Sequence, residues 1–338
     1  MFEAKEVKNK IHWDIESLVP SAPLTQSFGY GEWQEKTGEE VFRIRVDFSN
    51  KPVLFCQFIK YSLPFGKHIW YAPYGPVIVK NQTGLNDFFS EICQKVLEEK
   101  GGIFLRIDAT PFDKANNFFP QGFEIPPEVL KSMSPMQPRF EWTLDIEKGS
   151  NDLLAKMHEK TRYSIRLAEK KCVEILIEDK EVSKYFEIFY SLMSATAKRN
   201  HFKLHSKEYY KNLFEYISQF GGGYLVLAKH EGDYLAAHFI GIYGNTAYYL
   251  FGGTSDEKKN LCGPYLAHWA GILRAKKDGL KFYNFGGIEE AKEKDGSWAG
   301  ITVFKKKFGG ETIRHAEFFD MVKSKFWYKI IAFAKSLR

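Results

Sequence analysis

Long apolar runs, clustered cysteine and charge of one sign are all scarce in this chain. No stretch approaches the roughly 18 uninterrupted apolar residues of a spanning helix, so no transmembrane segment is expected. The opening residues MFEAKEVKNK hold no apolar core, so no secretory leader is expected either. Four cysteines, Cys56, Cys93, Cys172 and Cys262, stand too far apart for a zinc knuckle or a CxxC redox pair. They read as free, mostly buried thiols in a reducing cytosol. Lys and Arg number 48 against 42 Asp and Glu, and the net charge of +6 permits a polyanionic partner without demanding one. The P-loop and the GxGxxG dinucleotide fingerprint are absent, and so is GxSxG. With no cysteine set beside a histidine, a covalent nucleophile has no support. His201 and His205 form HxxxH without the glutamate of HExxH or an evident third ligand, so no metal is expected.

Aromatic residues, by contrast, are abundant. The 30 Phe and 18 Tyr within a 44% hydrophobic composition exclude a disordered chain. At about 150 residues per domain, 338 residues imply two domains. VFRIRVDF (41–48) alternates, and PVLFCQFIKY (52–61) follows it as an antiparallel neighbour. YAPYGPVIV (71–79) is a Pro/Gly turn running into a strand. In 85–101, Leu85, Phe88, Phe89, Ile92, Val96 and Leu97 share one helical face, and Gly101-Gly102 ends the helix. FLRID is then a buried strand, 111–139 reads as loop, and FEWTLDI (140–146) is a strand before a boundary near 145.

One helix is expected over 151–171, with His158, Arg162 and Arg166 on a common face. Helices at 182–198 and 206–219 follow, then three meandering strands at 223–230, 234–243 and 246–253. A helix at 263–278, a strand at 280–287 and a helical C-terminus over 320–338 complete the chain. The pattern of amphipathic helix, glycine, strand and Asp or Asn occurs at 85–108 and again at 264–287, a weak internal duplication. Both halves are therefore expected to be α/β units with mixed sheets.

Two basic features invite chemistry. The 151–171 helix carries Lys156, Lys160, Arg162, Arg166, Lys170 and Lys171, a solvated face or else a surface for a phosphate backbone. VFKKKFGG (303–310) reads either as a positive strand end entering a turn or as an electrostatic clamp. Three adjacent lysines cannot share one face, so at least one of Lys305, Lys306 and Lys307 points inward, flanked by Phe304 and Phe308. Asp108 ends a strand, where α/β sheets place polar site residues, although a turn aspartate fits equally; Asn284 holds the matching place. The tail MVKSKFWYKIIAFAKSLR is a basic amphipathic helix. Docking on the body of the protein is the first expectation for it, and weak contact with an anionic membrane surface the second.

Several strings together resemble one family: LTQSFGYGEWQEKTG (24–38), YAPYGPVI (71–78), FLRIDATP (104–111), KMHEKTRYSIRLAEKKCVEI (156–175), AKRNHF (197–202), AYYLFGGTSDE (247–257), GPYLAHWAGILRAKKDGLKFYNFGG (263–287) and FKKKFGG (304–310). In that order, over nearly the whole chain, they resemble the FemX/FemA/FemB aminoacyltransferases, which build peptidoglycan cross-bridges from aminoacyl-tRNA.

The resemblance implies two tandem acetyltransferase-like (GNAT) domains. Residues 1–145 with a returning 317–338 form the acceptor-binding one, and 146–316 the other. The 182–222 region is too short for a long coiled-coil arm, so the compact FemX type is expected. Carried over by motif, Lys36 and Arg199 hold the acceptor's diphosphate, with Tyr249, Tyr248 and Phe304 as further substrate contacts. Lys305 and Asp108 are the implied catalytic pair. Lys160, Arg162, Arg166 and Lys306 are the tRNA-contact candidates. Two positions depart from the family pattern: Asn284 stands where Asp is common, and Tyr74 where Arg is common before Gly-Pro-Val.

The expected reaction is aminoacyl transfer from a tRNA ester to an amine of UDP-MurNAc-pentapeptide or its lipid-linked form, lipid II. It needs no cofactor, and a cytoplasmic monomer is expected, working in solution or at the inner membrane face. An ester is already activated, so positioning and oxyanion stabilisation suffice. Two other readings stand beside it. One is a GNAT-type N-acyltransferase using acyl-CoA, although KNLCGP (259–264) supplies a single loop glycine. The other is a non-catalytic RNA-binding module built on the 151–171 helix.

Overall fold

Alternating strands and one amphipathic crossover helix build each half of the chain. The computed structural model describes residues 1–108, 121–126, 137–220, 222–289, 298–315 and 318–336, without the side chains of 217–220. Most of the 111–139 segment, read above as loop, lies outside the described residues. Contacts divide the chain into Met1–Arg139 with Arg314–Arg338, and Phe140–Ile313.

The first unit opens with β1 (Phe2–Glu6), a short α1 (Ile15–Leu18) and α2 (Phe28–Lys36). The long hairpin β2 (Glu40–Phe48) and β3 (Lys51–Leu63) turns on Ser49 and Asn50, both at positive φ, as a two-residue hairpin turn requires. After β4 (Lys67–Ala72) and β5 (Val77–Ile78) comes α3 (Leu85–Lys100), which buries Leu85, Phe89, Ile92, Cys93, Val96 and Leu97. Gly101, at φ 75°, closes it. This crossover lays β6 (Phe104–Asp108) parallel to β4, an arrangement that a tight turn cannot produce.

In the second unit, β7 (Phe140–Asp145) pairs antiparallel with the later strand β12 (Phe282–Gly287), and the contacts divide the chain between Arg139 and Phe140. The helix expected over 151–171 is two helices, α4 (Ser150–Lys156) and α5 (Glu159–Lys170). Met157 and His158 are extended, and His158 Nδ1 accepts the Lys160 N–H at 3.2 Å as an N-cap. His158 therefore leaves the cationic stripe. Next come β8 (Glu174–Glu178), α6 (Phe186–Asn200) and α7 (Lys207–Phe220), followed by the meander β9 (Gly223–His230), β10 (Asp233–Tyr243) and β11 (Thr246–Thr254). α8 (Gly263–Lys277) crosses over to place β12 (Phe282–Gly287) parallel to β11. VFKKKFGG does not end a strand: its lysines close the helix α9 (Ala299–Lys306), ahead of β13 (Glu311–Arg314).

The chain then returns to the first unit. The 320–338 region expected to be helical begins as β14 (Phe318–Val322), antiparallel to β6, and only then forms α10 (Lys325–Ser336). The first sheet runs β1-β2-β3-β4-β6-β14 with β5 on β3, and the second β13-β7-β12-β11-β10-β9-β8. Each unit has a parallel pair made by a helical crossover (β4/β6 and β11/β12), flanked by an antiparallel strand from elsewhere in the chain (β14 and β7). The duplication glimpsed at 85–108 and 264–287 is thus a repeat of topology. Neither α6 nor α7 extends into a coiled-coil arm among the described residues.

Candidate active site

Lys305 lies in the last turn of α9 and is only 7% exposed. Its Nζ donates to the Gly287 carbonyl at 2.6 Å. That carbonyl is presented by an irregularity in β12. The β11/β12 ladder stops at the Tyr248–Asn284 pair, and the β12/β7 register shifts between Asn284 and Gly287. Asn284 fixes the bend: its Oδ1 accepts the Gly286 N–H at 2.6 Å, and its Nδ2 donates to Glu141 on β7 at 3.0 Å. Gly286 takes φ +76°, and a Cβ there would sit 3.5 Å from the Tyr249 carbonyl and 3.9 Å from Lys305 Nζ. The ammonium therefore stands where the parallel pair forks. Burial lowers its pKa from 10.5 to about 8, against the opposing pull of Glu141.

Beside the lysine lies an aromatic bed centred on His268 of α8. Its ring centroid is 4.6 Å from Tyr249, 5.5 Å from Phe304, 5.3 Å from Phe308 and 4.1 Å from His238 of β10. Both histidines are 1% exposed. Desolvation brings His238 to about 3 and His268 well below the usual imidazole range, so both are neutral at pH 7. His268 Nδ1 lies 3.1 Å from the Tyr283 hydroxyl. Burial also pushes the Tyr249 hydroxyl up. Lys305, Phe304 and Tyr249 are thus brought together around His268. Tyr248, the next residue along β11, points to the other sheet face by strand alternation. His238 and His268 were not singled out from sequence; the signal was a histidine inside each of the apolar runs YLAAHFIGIY and PYLAHWAGIL.

Arg199 stands elsewhere in the unit, near the C-terminal end of α6. Its guanidinium donates to Asp256 Oδ1 at 2.8 Å and to the Thr254 hydroxyl at 2.7 Å. Lys259 shares Asp256 at 2.8 Å, and together these two cations lower the aspartate's pKa, Lys259 first. An incoming anion at Arg199 has to compete with Asp256. Of the tRNA-contact candidates, Lys160 and Arg166 are exposed on α5. Arg162 instead donates to the Met157 and Ala155 carbonyls at the end of α4. Lys306 Nζ lies 5.6 Å from the Trp142 ring centroid. The loop glycine Gly263 is a packing glycine: a Cβ there would come within 2.8 Å of Leu235 Cβ.

In the first unit, Asp108 ends β6 fully buried. Its Oδ2 accepts from the Tyr71 hydroxyl and its Oδ1 from the Tyr74 N–H, each at 2.5 Å. Burial raises its pKa well above the carboxylate range, although both bonds pull the other way. Tyr74, the residue at the departure noted before Gly-Pro-Val, has φ 51° and stacks on His315 at 4.0 Å. A buried amide relay that the sequence did not disclose supports this turn. Arg43 Nε donates to Gln57 Oε1, the Gln57 N–H to Gln26 Oε1, and Gln26 Nε2 to the Pro73 carbonyl. Lys36 is exposed in the last turn of α2. His201 caps α6 at positive φ and His205 stacks on Tyr209 at 4.1 Å. Among the described residues no group of three or more His, Cys, Asp or Glu could hold a metal ion, and no helix is long and apolar enough to cross a membrane.

Comparison with known proteins adds four findings. The family model described as FemAB matches residues 121–229 and 226–336. The lipid II:glycine glycyltransferase of Staphylococcus aureus (strain USA300) is 21% identical over 407 residues, spanning 97% of this chain and 95% of that protein. Among solved structures, the crystal structure of FemX superposes with a TM-score of 0.84 at 20% identity, over 98% of this chain and 100% of that one. A tandem GNAT protein from the clavulanic acid biosynthesis pathway gives 0.54 at 11% identity, over 95% and 98%. The fold is thus of the tandem acetyltransferase type.

Proposed function

The chain belongs to the FemAB family, and from that premise we propose that it transfers an amino acid from the ester of a charged tRNA to an amine of a peptidoglycan precursor. The observation that supports this reading most is Lys305, a buried ammonium at the fork of β11 and β12, held by the Gly287 carbonyl. An aminoacyl ester is already activated, so the acceptor amine attacks its carbonyl directly. The amide bond forms, the ester C–O bond breaks, and the amine's proton ends on the departing tRNA hydroxyl. In the tetrahedral intermediate the carbonyl oxygen becomes an anion, and the Lys305 ammonium stabilises it in a site drier than water. The amine must shed a proton to attack, since a free lysine-type amine has a pKa of about 10.4.

Other residues carry proposed roles within their own units. Lys160 and Arg166 contact tRNA phosphates. Arg199, released from Asp256, and Tyr249 contact substrate. Asp108, in its ionised form and with one of its two bonds opened, is a proton acceptor, and Lys36 is an anion contact. A charged tRNA places the reaction in the cytoplasm, and the chain acts there as a monomer.

The test supplies charged tRNA with either UDP-MurNAc-pentapeptide or lipid II, and looks for a mass gain of one amino acid. No product with either acceptor and any charged tRNA sinks the reading. Lys305→Met is expected to slow transfer by about 10²-fold or more while leaving acceptor binding in place. Normal turnover by this variant would remove Lys305 from the mechanism.

A further inference from the structure

The end of the chain carries an apolar surface that the transfer reaction does not use. The inner side of α10 packs into the first unit: Tyr328 is buried against Ile69, Ile103 and Phe104, with Trp327, Ile331 and Ala332 around it. Its outer side presents Phe326, Ile330 and Phe333, which are 69%, 38% and 66% exposed. Their spacing of i, i+4 and i+7 sets them in one stripe along the helix. Beside the helix lies the tip of the β3–β4 hairpin, where Phe65 is 84% exposed. The Phe65 ring is 6.2 Å from Trp327, which in turn neighbours Phe326 at 5.7 Å. Phe65 sits at φ 62°, a left-handed conformation that disfavours a bulky side chain. A strained ring that stays largely in solvent beyond its contact with Trp327 adds little to the packing of its unit, and such outliers point to use elsewhere.

Charge completes the surface. Lys325 and Lys329 are exposed on α10, and Lys67 Nζ lies 5.0 Å from the Trp327 ring centroid. No acidic residue follows Asp320 in the sequence. Apolar rings flanked by Lys325, Lys329 and Lys67, on a helix that itself carries no acidic residue, are complementary to anionic headgroups over an acyl layer. We infer that the outer face of α10 and the Phe65 turn together form a docking surface for an anionic lipid bilayer. The rings enter the boundary between headgroups and acyl chains, and the lysines hold the headgroups. The surface does not depend on the transfer chemistry.

The experiment is co-sedimentation of the full chain with vesicles, either pure phosphatidylcholine or equimolar phosphatidylcholine and phosphatidylglycerol. The protein is expected to partition into the anionic vesicles at least tenfold more strongly, with loss at high salt. Phe326→Ser with Phe333→Ser is expected to weaken this about tenfold or more. Lys325→Gln with Lys329→Gln is expected to weaken it about twenty-five-fold, at about fivefold per lysine. All four side chains are exposed, so the variants retain the fold, and transfer to a soluble acceptor stays unchanged. Equal partition into both vesicle types, no partition, or wild-type partition by the Phe variant overturns the inference. So does sedimentation velocity showing a wild-type dimer that the Phe variant dissociates, because the occupant is then a second copy. No tRNA enters the vesicle sedimentation, so its outcome is separate from that of the transfer reaction.

Discussion

A lysine that keeps its ammonium in a nearly dry fork is held there at a cost. The folded pKa of Lys305 is about 8 against an unperturbed 10.5. Between those values the unfolded chain binds more protons, so stability rises with pH across that window, and below about 8 the cost is complete. Lys305→Met removes roughly 3 kcal/mol of that penalty at pH 7 and loses about 1 kcal/mol with the bond to Gly287. The variant is therefore expected to be about 1–2 kcal/mol more stable in urea at pH 7, with the advantage gone by pH 10. The same titration removes the charged form as pH passes about 8, so transfer should decline on that alkaline side, read as kcat at saturating acceptor. The inward turn of one lysine was legible in KKK, because consecutive side chains cannot share a face. The neutral histidine pair beside it was not: His238 and His268 occupy positions whose spacing is that of core residues, and only burial separates them from solvated imidazoles.

At the scale of elements, glycine decides how closely helices approach the second sheet. A Cβ on Gly253 of β11 would lie 2.3 Å from the Leu192 and Met193 backbone of α6. Gly253→Ala must push that helix away, and a loss of about 3 kcal/mol or more is expected in a urea melt. Gly300, inside α9, has nothing within 4 Å of its would-be Cβ. Gly300→Ala should gain up to about 1 kcal/mol from helix propensity alone. The contrast in sign, measured on the same scale, checks the packing. Elements with one strong periodicity were readable: the Leu85–Leu97 stripe forms a single helix, and the 41–61 alternation a hairpin. The break at Met157 was not, since Leu154, Met157 and Ile165 keep helical spacing across it and histidine is a rare cap. β14 was misread because FFDMV runs directly into an amphipathic pattern and its pairing partner, β6, lies some two hundred residues upstream.

Across the whole molecule, one buried ion pair locks the returning segment in place. Arg106 of β6 and Asp320 of β14 are 1% and 0% exposed and meet through two bonds of 2.6 Å, and the Tyr328 hydroxyl donates to the same carboxylate at 2.7 Å. Asp320→Ala takes the paired carboxylate from a buried guanidinium and is expected to cost about 3–5 kcal/mol in the first unit; Tyr328→Phe should cost about 1. Two-step urea unfolding, followed by Trp fluorescence, separates that loss from the second unit. The tandem plan was legible because the crossover helix and its strand recur in order, whereas the exchange of flanking strands depends on pairings between distant residues. The return of β14 also sets an order of synthesis. On the ribosome, β6 is complete some 210 residues before its partner exists, Asp108 against Phe318. At 5–20 residues per second that is roughly 10–40 s with an open sheet edge. The second unit, contiguous in the chain, can close during that interval, and the half made first is the half finished last.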